Sequence, residues 1–264
     1  MKKFSDGIPK ICQNFDNNIN NFGRAILTTD LVEKIVFTEF SSGAKILGFS
    51  KGSGMIAPNM ATMLGFFLTD AKIDRNKMTE NWKKIINKSL NCVCVDNCES
   101  TNDAAVLLSS QKIEVDEEVF WENLEKLTID STKKIAADGE GATKLISVLV
   151  CGSDSEISAQ KIAKKIISYD LLKCAIYGQD PNFGRILAAA GSAGVKFDPE
   201  KIKLFLDGEK IFENGLPIQF DHQKIFQNSE VKIKIDLCNG KYSAESWGCD
   251  LTEKYVQING KYST

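Results

Sequence analysis

A glycine-rich segment that runs directly into an apolar one constrains this chain more than any other feature. Residues 51–64 read KGSGMIAPNMATML, and the apolar character continues through GFFLTDA. The Gly-Ser-Gly and Pro-Asn pairs are typical of a loop, whereas the apolar continuation predicts a core strand or the start of a buried helix. We therefore expect Thr62 to stand where a loop enters the core. A plain connecting loop is the simplest interpretation of this segment.

Thr62 follows Ala61, and cleavage of the bond between them would create a reactive threonine. A threonine hydroxyl is a weak nucleophile until a base takes its proton, and the α-amine freed by cleavage would lie on the same residue. An α-amine titrates at about pH 8, where such a base is useful. The segment lacks the Lys-Ser or Lys-Thr ending of a phosphate-binding loop, and it does not fit the dinucleotide-binding fingerprint.

Composition excludes several classes of function. The chain has 264 residues, of which 43% are hydrophobic, enough for a sizeable buried core. A formal net charge of −2 leaves no basic excess for phosphates, which argues against a nucleic-acid or membrane-surface role. No run of about eighteen apolar residues occurs, and the opening MKKFSDGIPK has no hydrophobic signal core. We therefore expect a cytoplasmic protein.

The cysteines and the single histidine offer little chemistry by their spacing. Cys92, Cys94 and Cys98 form a C-x-C-x3-C pattern, which lacks the paired C-x2-C knuckles of structural zinc sites. The alternation in CVCV is more typical of a strand. His222 lies in the polar stretch QFDHQK with no serine or cysteine motif around it, so a Ser-His-Asp or Cys-His site would have to use that residue. We predict no metal site.

Hydrophobic periodicity predicts alternating helices and strands. Helices are predicted within residues 1–20 and at 79–90, 117–137 and 156–172, and strands at AILTTD, KIVFTEF, KILGFSKG and LISVLVC. From residue 175 onward, FGRILAAAG is followed by short strands with Asp-Gly and Asn-Gly turns, a pattern typical of hairpins. We therefore divide the chain into an α/β region that contains Thr62, residues 1–174, and a smaller carboxy-terminal α+β unit, residues 175–264.

Several blocks along the chain resemble one known family. They are KGSGMIAPNMATML with the Thr-Asp-Ala that follows, AILTTD (25–30), STND (100–103), DGEGATK (138–144), DPNFGRILA (180–188), SWGCDLT (246–252) and the final VQINGKYST. In this order they are similar to blocks of the ornithine acetyltransferases, also called bifunctional glutamate N-acetyltransferases of arginine biosynthesis. Any one block is weakly specific, but the collinear set covers almost all of residues 1–264.

The resemblance implies a fold and a set of site residues. The fold would be α+β, a layered α/β sandwich of the self-cleaving amino-terminal-nucleophile-like type, with residues 1–174 as the catalytic region. Self-cleavage would fall between Ala61 and Thr62, which makes Thr62 the nucleophile and a new amino terminus. The substrate-binding positions implied are Thr28, Lys51, Thr62, Glu140, Asn259 and Thr264. Without the resemblance, each of these residues is equally consistent with a surface charge, a strand residue or a turn.

The resemblance also implies an activity and partners. The acetyl group of N2-acetylornithine would pass to glutamate through a Thr62 acetyl-enzyme, with no metal or redox cofactor. Acetyl-CoA stays open as a further acetyl donor. The α and β pieces of one precursor would remain together and assemble into a higher homo-oligomer of αβ units.

The chain departs from the family pattern at its front. The family carries an amino-terminal Ser-Thr-Gly-Val-Ile-Gly block whose Thr-Gly pair forms the oxyanion hole, and this sequence has no such block. Loss of one preorganised oxyanion donor typically costs about a hundred- to a thousandfold in rate. We also expect missing core strands to leave apolar sheet surface and unpaired edges exposed. The alternatives are a mis-assigned start or fragment, one half of a split enzyme, or an inactive relative. A truncated or split chain would be inactive alone and act as a subunit or fragment.

Two further classes stay open. A non-catalytic interaction partner would keep Thr62 inside one intact chain. An amide-cleaving peptidase of the amino-terminal-nucleophile type would process itself but hydrolyse its substrate, and the blocks around Lys51 and Glu140 argue against it.

Overall fold

A computed structural model of the protein describes residues 2–13, 18–57 and 63–262. The helices are α1 (Lys2–Gln13), α2 (Ile19–Ala25), α3 (Arg75–Lys88), α4 (Glu117–Ala137), α5 (Glu156–Ile167), α6 (Asp170–Tyr177), α7 (Phe183–Gly191) and α8 (Glu253–Lys261). The strands are β1 (Lys34–Glu39), β2 (Lys45–Lys51), β3 (Leu64–Lys72), β4 (Val93–Cys94), β5 (Ala104–Glu114), β6 (Leu145–Ser153), β7 (Lys203–Leu206), β8 (Glu209–Glu213), β9 (Leu216–Pro217), β10 (Glu230–Asp236) and β11 (Tyr242–Cys249). None of the described helices is long and apolar enough to span a bilayer.

Four strands form the first sheet, in the order β1-β2-β3-β5. The first three run antiparallel to their neighbours, whereas β5 pairs with β3 in parallel. Val36, Gly48, Phe67 and Leu107 follow one another in register across the inner face, and all four are buried. Helices α3 and α4 contribute to the hydrophobic cluster on this face. Segment 64–72, for which the sequence allowed a strand or a helix start, is strand β3.

The second sheet has the strand order β4-β11-β6-β10-β7-β8-β9. Strand β6 lies inside it, antiparallel to β11 and parallel to β10. One face of its apolar run is fully buried, because Ile146, Val148 and Val150 are at most 1% exposed, whereas the residues that alternate with them are half-buried. Helices α5, α6 and α7 pack with strands of this sheet in the second hydrophobic cluster.

The second sheet crosses the unit boundary predicted at residues 174 and 175. Strand β6 precedes that boundary, and its two neighbours β10 and β11 follow it. Hydrogen bonds of one sheet therefore join the two predicted units. The division into two units stays a prediction.

Local sequence signals correctly predicted several elements. The helix expected at 117–137 is α4, and Asp116 caps its first turn by accepting a hydrogen bond from the Val119 N–H. The Asp-Gly and Asn-Gly dipeptides form the turns of the β7–β8 and β8–β9 hairpins. All four turn residues have positive φ, which these residue types tolerate best; they are Asp207, Gly208, Asn214 and Gly215.

Two predicted elements are wrong. AILTTD is not a strand: Ala25 ends α2, and the residues that follow form a loop up to β1. The Asp30 carboxylate accepts hydrogen bonds from the backbone of Thr28 and Gly52, and such side-chain bonds compete with strand pairing. The helix predicted at 156–172 is two helices, because α5 ends at Ile167 and α6 begins at Asp170.

The packing on the inner face of the first sheet leaves no room for a side chain at position 48. A Cβ atom there would lie 2.7 Å from Val36 Cγ2 and 2.8 Å from Phe67 Cε1. We expect Gly48→Ala to destabilise the protein by about 1–3 kcal/mol, because overpacking forces core side chains out of place. Chemical denaturation measures this. Gly191→Ala is the matched control, since a Cβ at Gly191 would meet nothing within 4 Å; equal stability of both variants would contradict the prediction.

Candidate active site

The segment that contains Thr62 connects two neighbouring strands of the first sheet. Lys51, the last residue of β2, pairs directly with Leu64, the first residue of β3. The chain therefore leaves the sheet and re-enters it at adjacent positions, and Thr62 is two residues before the point of re-entry. This pairing fixes the place in the fold around which a site that uses Thr62 has to be built.

Three of the residues predicted for the site, Ala61, Thr62 and Thr264, lie outside the described residues. The other four are described. They are Thr28, Lys51, Glu140 and Asn259, and they form two hydrogen-bonded pairs that are both close to the start of the 52–63 connection.

Lys51 and Thr28 form the first pair. The Lys51 ammonium donates a hydrogen bond to Thr28 Oγ1 over 3.3 Å. Lys51 is half-buried at the end of β2, whereas Thr28 is exposed in the loop after α2. The loop of residues 26–33 therefore places Thr28 beside the end of β2.

Glu140 and Asn259 form the second pair. Glu140 is 9% exposed, and its Oε2 accepts a hydrogen bond of 2.7 Å from Asn259 Nδ2 of α8. The Glu140 backbone N–H donates to the Ser53 carbonyl over 2.9 Å. A Cβ on Gly54 would lie 2.5 Å from both carboxylate oxygens of Glu140. Only glycine at position 54 lets this carboxylate lie against the backbone that follows Lys51.

Asp96 holds the next residues of the connection. Its carboxylate accepts hydrogen bonds from the backbone N–H groups of Met55, at 2.7 Å, and Ile56, at 2.9 Å. The Tyr255 hydroxyl of α8 donates to the same carboxylate over 3.1 Å. Burial, together with the nearby Asp96 charge, raises the pKa of Tyr255, so this hydroxyl remains a donor at physiological pH. Helix α8 is thus tied to both Asp96 and Glu140.

A buried ion cluster lies behind these pairs. Lys34 Nζ is 2.6 Å from Asp30 Oδ1 and 2.6 Å from Asp138 Oδ2. Asp30 Oδ1 also accepts the Gly52 N–H over 2.6 Å. Burial raises the pKa of Asp30, but the hydrogen bonds from Lys34 and Gly52 outweigh it and hold that pKa below its ordinary value. Asp30 therefore stays ionised beside the site.

Asp103 is a half-buried residue on the β5 side of the connection. The backbone at this point is fixed, because the Ala104 N–H donates to the Met63 carbonyl over 3.0 Å. Both Asp103 carboxyl oxygens are buried and have no hydrogen-bond partner within the described part of the chain. Burial raises the pKa of Asp103 to about 6, against smaller opposing effects of the Met63 backbone and the Lys51 cation. The carboxyl therefore titrates at about pH 6, above the ordinary range of an aspartate.

Sequence reasoning missed five residues that build this site: Asp30, Lys34, Asp96, Asp138 and Tyr255. Two of them do carry a signal, since Asp30 and Asp138 belong to the blocks AILTTD and DGEGATK. Lys34 resembled an ordinary polar strand end, and Asp96 lay in a stretch that drew attention for its cysteines. Only the fold shows that their partners lie next to them.

The described residues thus place a cation directly before one backbone segment and a carboxylate against that segment. Lys51 precedes residues 52–54, and Glu140 lies against Ser53 and Gly54. Such a pair suits a small molecule with a negative group at one end and an amine at the other. No group of three or more histidine, cysteine or acidic side chains suited to a metal ion occurs in residues 2–13, 18–57 and 63–262.

The raised pKa of Asp103 predicts a pH-dependent stability. Its pKa is about 6 in the folded protein against 3.8 ordinarily, so the folded state binds the proton more tightly than the unfolded state does. The ionised Asp103 carboxylate lowers the free energy of unfolding by its full amount above pH 6. This destabilisation disappears as the pH falls toward 4, because the carboxyl is then protonated. We expect Asp103→Asn to raise the melting temperature at about pH 8 and to have much less effect at about pH 4.5. An equal effect at both pH values would contradict this.

Comparison with known proteins places the chain among relatives of one kind. It matches the ArgJ family over residues 1–264. It is 41% identical to the arginine biosynthesis bifunctional protein ArgJ of Thermus thermophilus, over 100% of this chain and 69% of that protein. It is 42% identical to the glutamate N-acetyltransferase of Methanopyrus kandleri, over 94% of this chain and 67% of that protein.

A solved structure agrees with the fold. The crystal structure of the arginine biosynthesis bifunctional protein ArgJ from Bacillus halodurans matches with a TM-score of 0.73 at 37% identity, over 76% of this chain and 100% of that chain. This confirms the α+β fold class of the amino-terminal-nucleophile-like type that the sequence resemblance implied. With the match to the family along the whole chain, it establishes that the protein is a member of the ArgJ family.

Proposed function

We propose that this chain transfers the acetyl group of N2-acetylornithine to glutamate, with Thr62 as the acetyl carrier. One observation carries the proposal: the pairs Lys51–Thr28 and Glu140–Asn259 flank the connection that contains Thr62. The α-carboxylate of N2-acetylornithine would bind the Lys51 ammonium, and its free side-chain amine would bind the Glu140 carboxylate. The names of the Thermus and Methanopyrus relatives support the same reaction.

The transfer would take two half-reactions. Thr62 Oγ attacks the acetyl carbonyl carbon while the α-amine of Thr62 takes the hydroxyl proton. The amide C–N bond then breaks, the amine passes that proton to the leaving nitrogen, and ornithine departs. The amine of glutamate next attacks the acetyl ester, the C–O bond breaks, and the proton returns to Thr62 Oγ. The balance needs no metal and no redox cofactor.

Self-cleavage would use the same hydroxyl. Thr62 Oγ attacks the Ala61 carbonyl carbon, the peptide C–N bond breaks to leave the α-amine of Thr62, and water then hydrolyses the ester. The two pieces would remain together and form a higher homo-oligomer of αβ units.

Acetyl-CoA would be a second donor for the first half-reaction. Its thioester carbonyl can be attacked by the same Thr62 hydroxyl, with the thiol leaving in place of ornithine. The relatives described as bifunctional make this donor worth assaying beside N2-acetylornithine.

Substitution of Thr62 tests the shared nucleophile. We expect Thr62→Ala to yield one intact chain with no transfer activity, and Thr62→Ser, the matched control, to keep measurable cleavage and transfer because it keeps a hydroxyl. Intact mass under denaturing conditions reports cleavage, and the formation of N-acetylglutamate from N2-acetylornithine and glutamate reports transfer. A Thr62→Ala protein that still splits into two pieces would refute the idea.

Gly54 offers a test of the Glu140 subsite that leaves both charges in place. A Cβ at position 54 would displace the Glu140 carboxylate, which lies 2.5 Å from the place that Cβ would take. We expect Gly54→Ala to lower kcat/KM for N2-acetylornithine about a hundredfold, because a displacement of about 1 Å in a positioning group can cost that much. Steady-state kinetics measures it, with Gly191→Ala as the unaffected control. If Gly54→Ala has the kinetics of the wild type, the proposal that Glu140 binds the substrate is wrong.

A second candidate is that the chain works only with a further polypeptide portion that supplies the oxyanion hole. The chain spans 69% of the length of the Thermus thermophilus relative. In addition, Phe37, Leu47, Leu68 and Leu108 form an apolar row in register across the outer face of the first sheet. Three of them are 55%, 38% and 55% exposed, and exposed apolar patches of this kind mark interfaces.

Complementation distinguishes the two candidates. The purified chain is assayed alone and after co-expression with the portion of the Thermus thermophilus relative that it does not match. Full activity alone supports the first candidate, whereas activity that appears only on co-expression supports the second. A Leu68→Asp variant that no longer responds to co-expression would place the added portion on the outer face of the first sheet.

A further inference from the structure

Lys34, Asp30 and Asp138 form a cluster of three buried charged side chains, which is unusual in a protein core. The side chains of Lys34 and Asp30 are 0% exposed, and that of Asp138 is 6% exposed. Removing such ions from water is costly, and well-packed apolar residues of similar volume often stabilise a protein equally well or better. Stability alone therefore explains this cluster poorly.

The two carboxylates hold three separate segments of the site. Asp30 accepts hydrogen bonds from the backbone of Gly52, at 2.6 Å, and of Thr28, at 3.2 Å. The Asp138 side chain accepts the Leu31 N–H at 3.0 Å. The clustered ions thus connect the loop that carries Thr28 with the residue directly after Lys51.

The third segment is the turn after α4. Asp138 is two residues before Glu140, and its carbonyl accepts the Ser53 hydroxyl at 2.6 Å. Ser53 in turn accepts the Glu140 N–H. A displacement of Asp138 would therefore move Glu140 and the 52–54 backbone together.

We propose that Lys34 is a positioning residue for the acetyl-transfer site, holding Asp30 and Asp138 so that Thr28, Lys51 and Glu140 face one bound amino acid. Lys34 does not contact the substrate itself, because its side chain is fully buried. The kinetic part of this inference rests on the proposed function; the structural part, that Lys34 orders the three segments, does not.

The test compares Lys34→Met with two other variants. The triple variant Lys34→Met, Asp30→Asn, Asp138→Asn keeps the volume of the cluster but leaves no unpaired buried charge, so it preserves folding better than the single change does. Lys72→Met is the matched control, because it breaks the Lys72–Glu114 ion pair of 2.6 Å, whose side chains are 56% and 79% exposed.

Hydrogen exchange followed by mass spectrometry gives a readout that needs no activity. In both Lys34 variants we expect faster exchange in peptides that cover residues 28–33 and 50–56, with unchanged exchange in β10. Lys72→Met should exchange as the wild type does. Wild-type protection of both site peptides in the triple variant would overturn the proposal, whatever the activity of the protein proves to be.

Kinetics measure the consequence for the site. Below the melting temperature of each variant, we expect the triple variant to show a kcat/KM for N2-acetylornithine and for glutamate about a hundredfold below that of the wild type. A merely structural cluster would lower the melting temperature and leave kcat/KM of the folded protein unchanged, which would overturn the positioning role. A wild-type protein that shows no transfer either alone or after co-expression would refute the proposed function and leave the exchange result to decide the role of Lys34.

Discussion

The contact between Lys34 and its two carboxylates is the interaction on which the arrangement of the candidate site depends. It joins the loop after α2, the end of β2 and the turn after α4, which are far apart in the chain. Lys34 itself starts β1 in the first sheet, so the sheet and the site share one anchor. Both carboxylates also accept hydrogen bonds from backbone N–H groups, Asp138 from Leu31 and Asp30 from Gly52. The cluster therefore holds the backbone at these two positions in addition to pairing its charges.

The same segments explain why the glycine-rich stretch has its composition. Gly52 has φ of +148°, which few other residues adopt, and Gly54 leaves room for the Glu140 carboxylate. The backbone N–H groups of Met55 and Ile56 bind Asp96 instead of a neighbouring strand. A segment that looks like a plain loop is therefore held by side chains up to residue 56. The proposed chemistry of Thr62 requires a fixed backbone in the segment before it, and residues 52–56 meet that requirement.

Local signals account for the part of the fold that the sequence predicted. Periodicity and the Asp116 cap predict α4, and the Asp-Gly and Asn-Gly dipeptides predict the hairpin turns. AILTTD failed as a strand because Asp30 bonds to residues beyond its own segment, which local propensity does not contain. Lys34 could not be singled out, since its partner Asp138 is 104 positions away. Thr28, Lys51, Glu140 and Asn259 were predicted as site residues from family resemblance and not from spacing. That they meet as two hydrogen-bonded pairs is seen only in the fold.

The proposed acetyl group on Thr62 can be tested for directly. The protein is mixed with N2-acetylornithine in the absence of glutamate, quenched in acid, and its fragments are weighed by mass spectrometry. The fragment that begins with Thr62 should gain the mass of one acetyl group, and addition of glutamate before the quench should remove it. Steady formation of N-acetylglutamate while that fragment never carries an acetyl group would contradict the threonine ester and require direct transfer between the two amino acids.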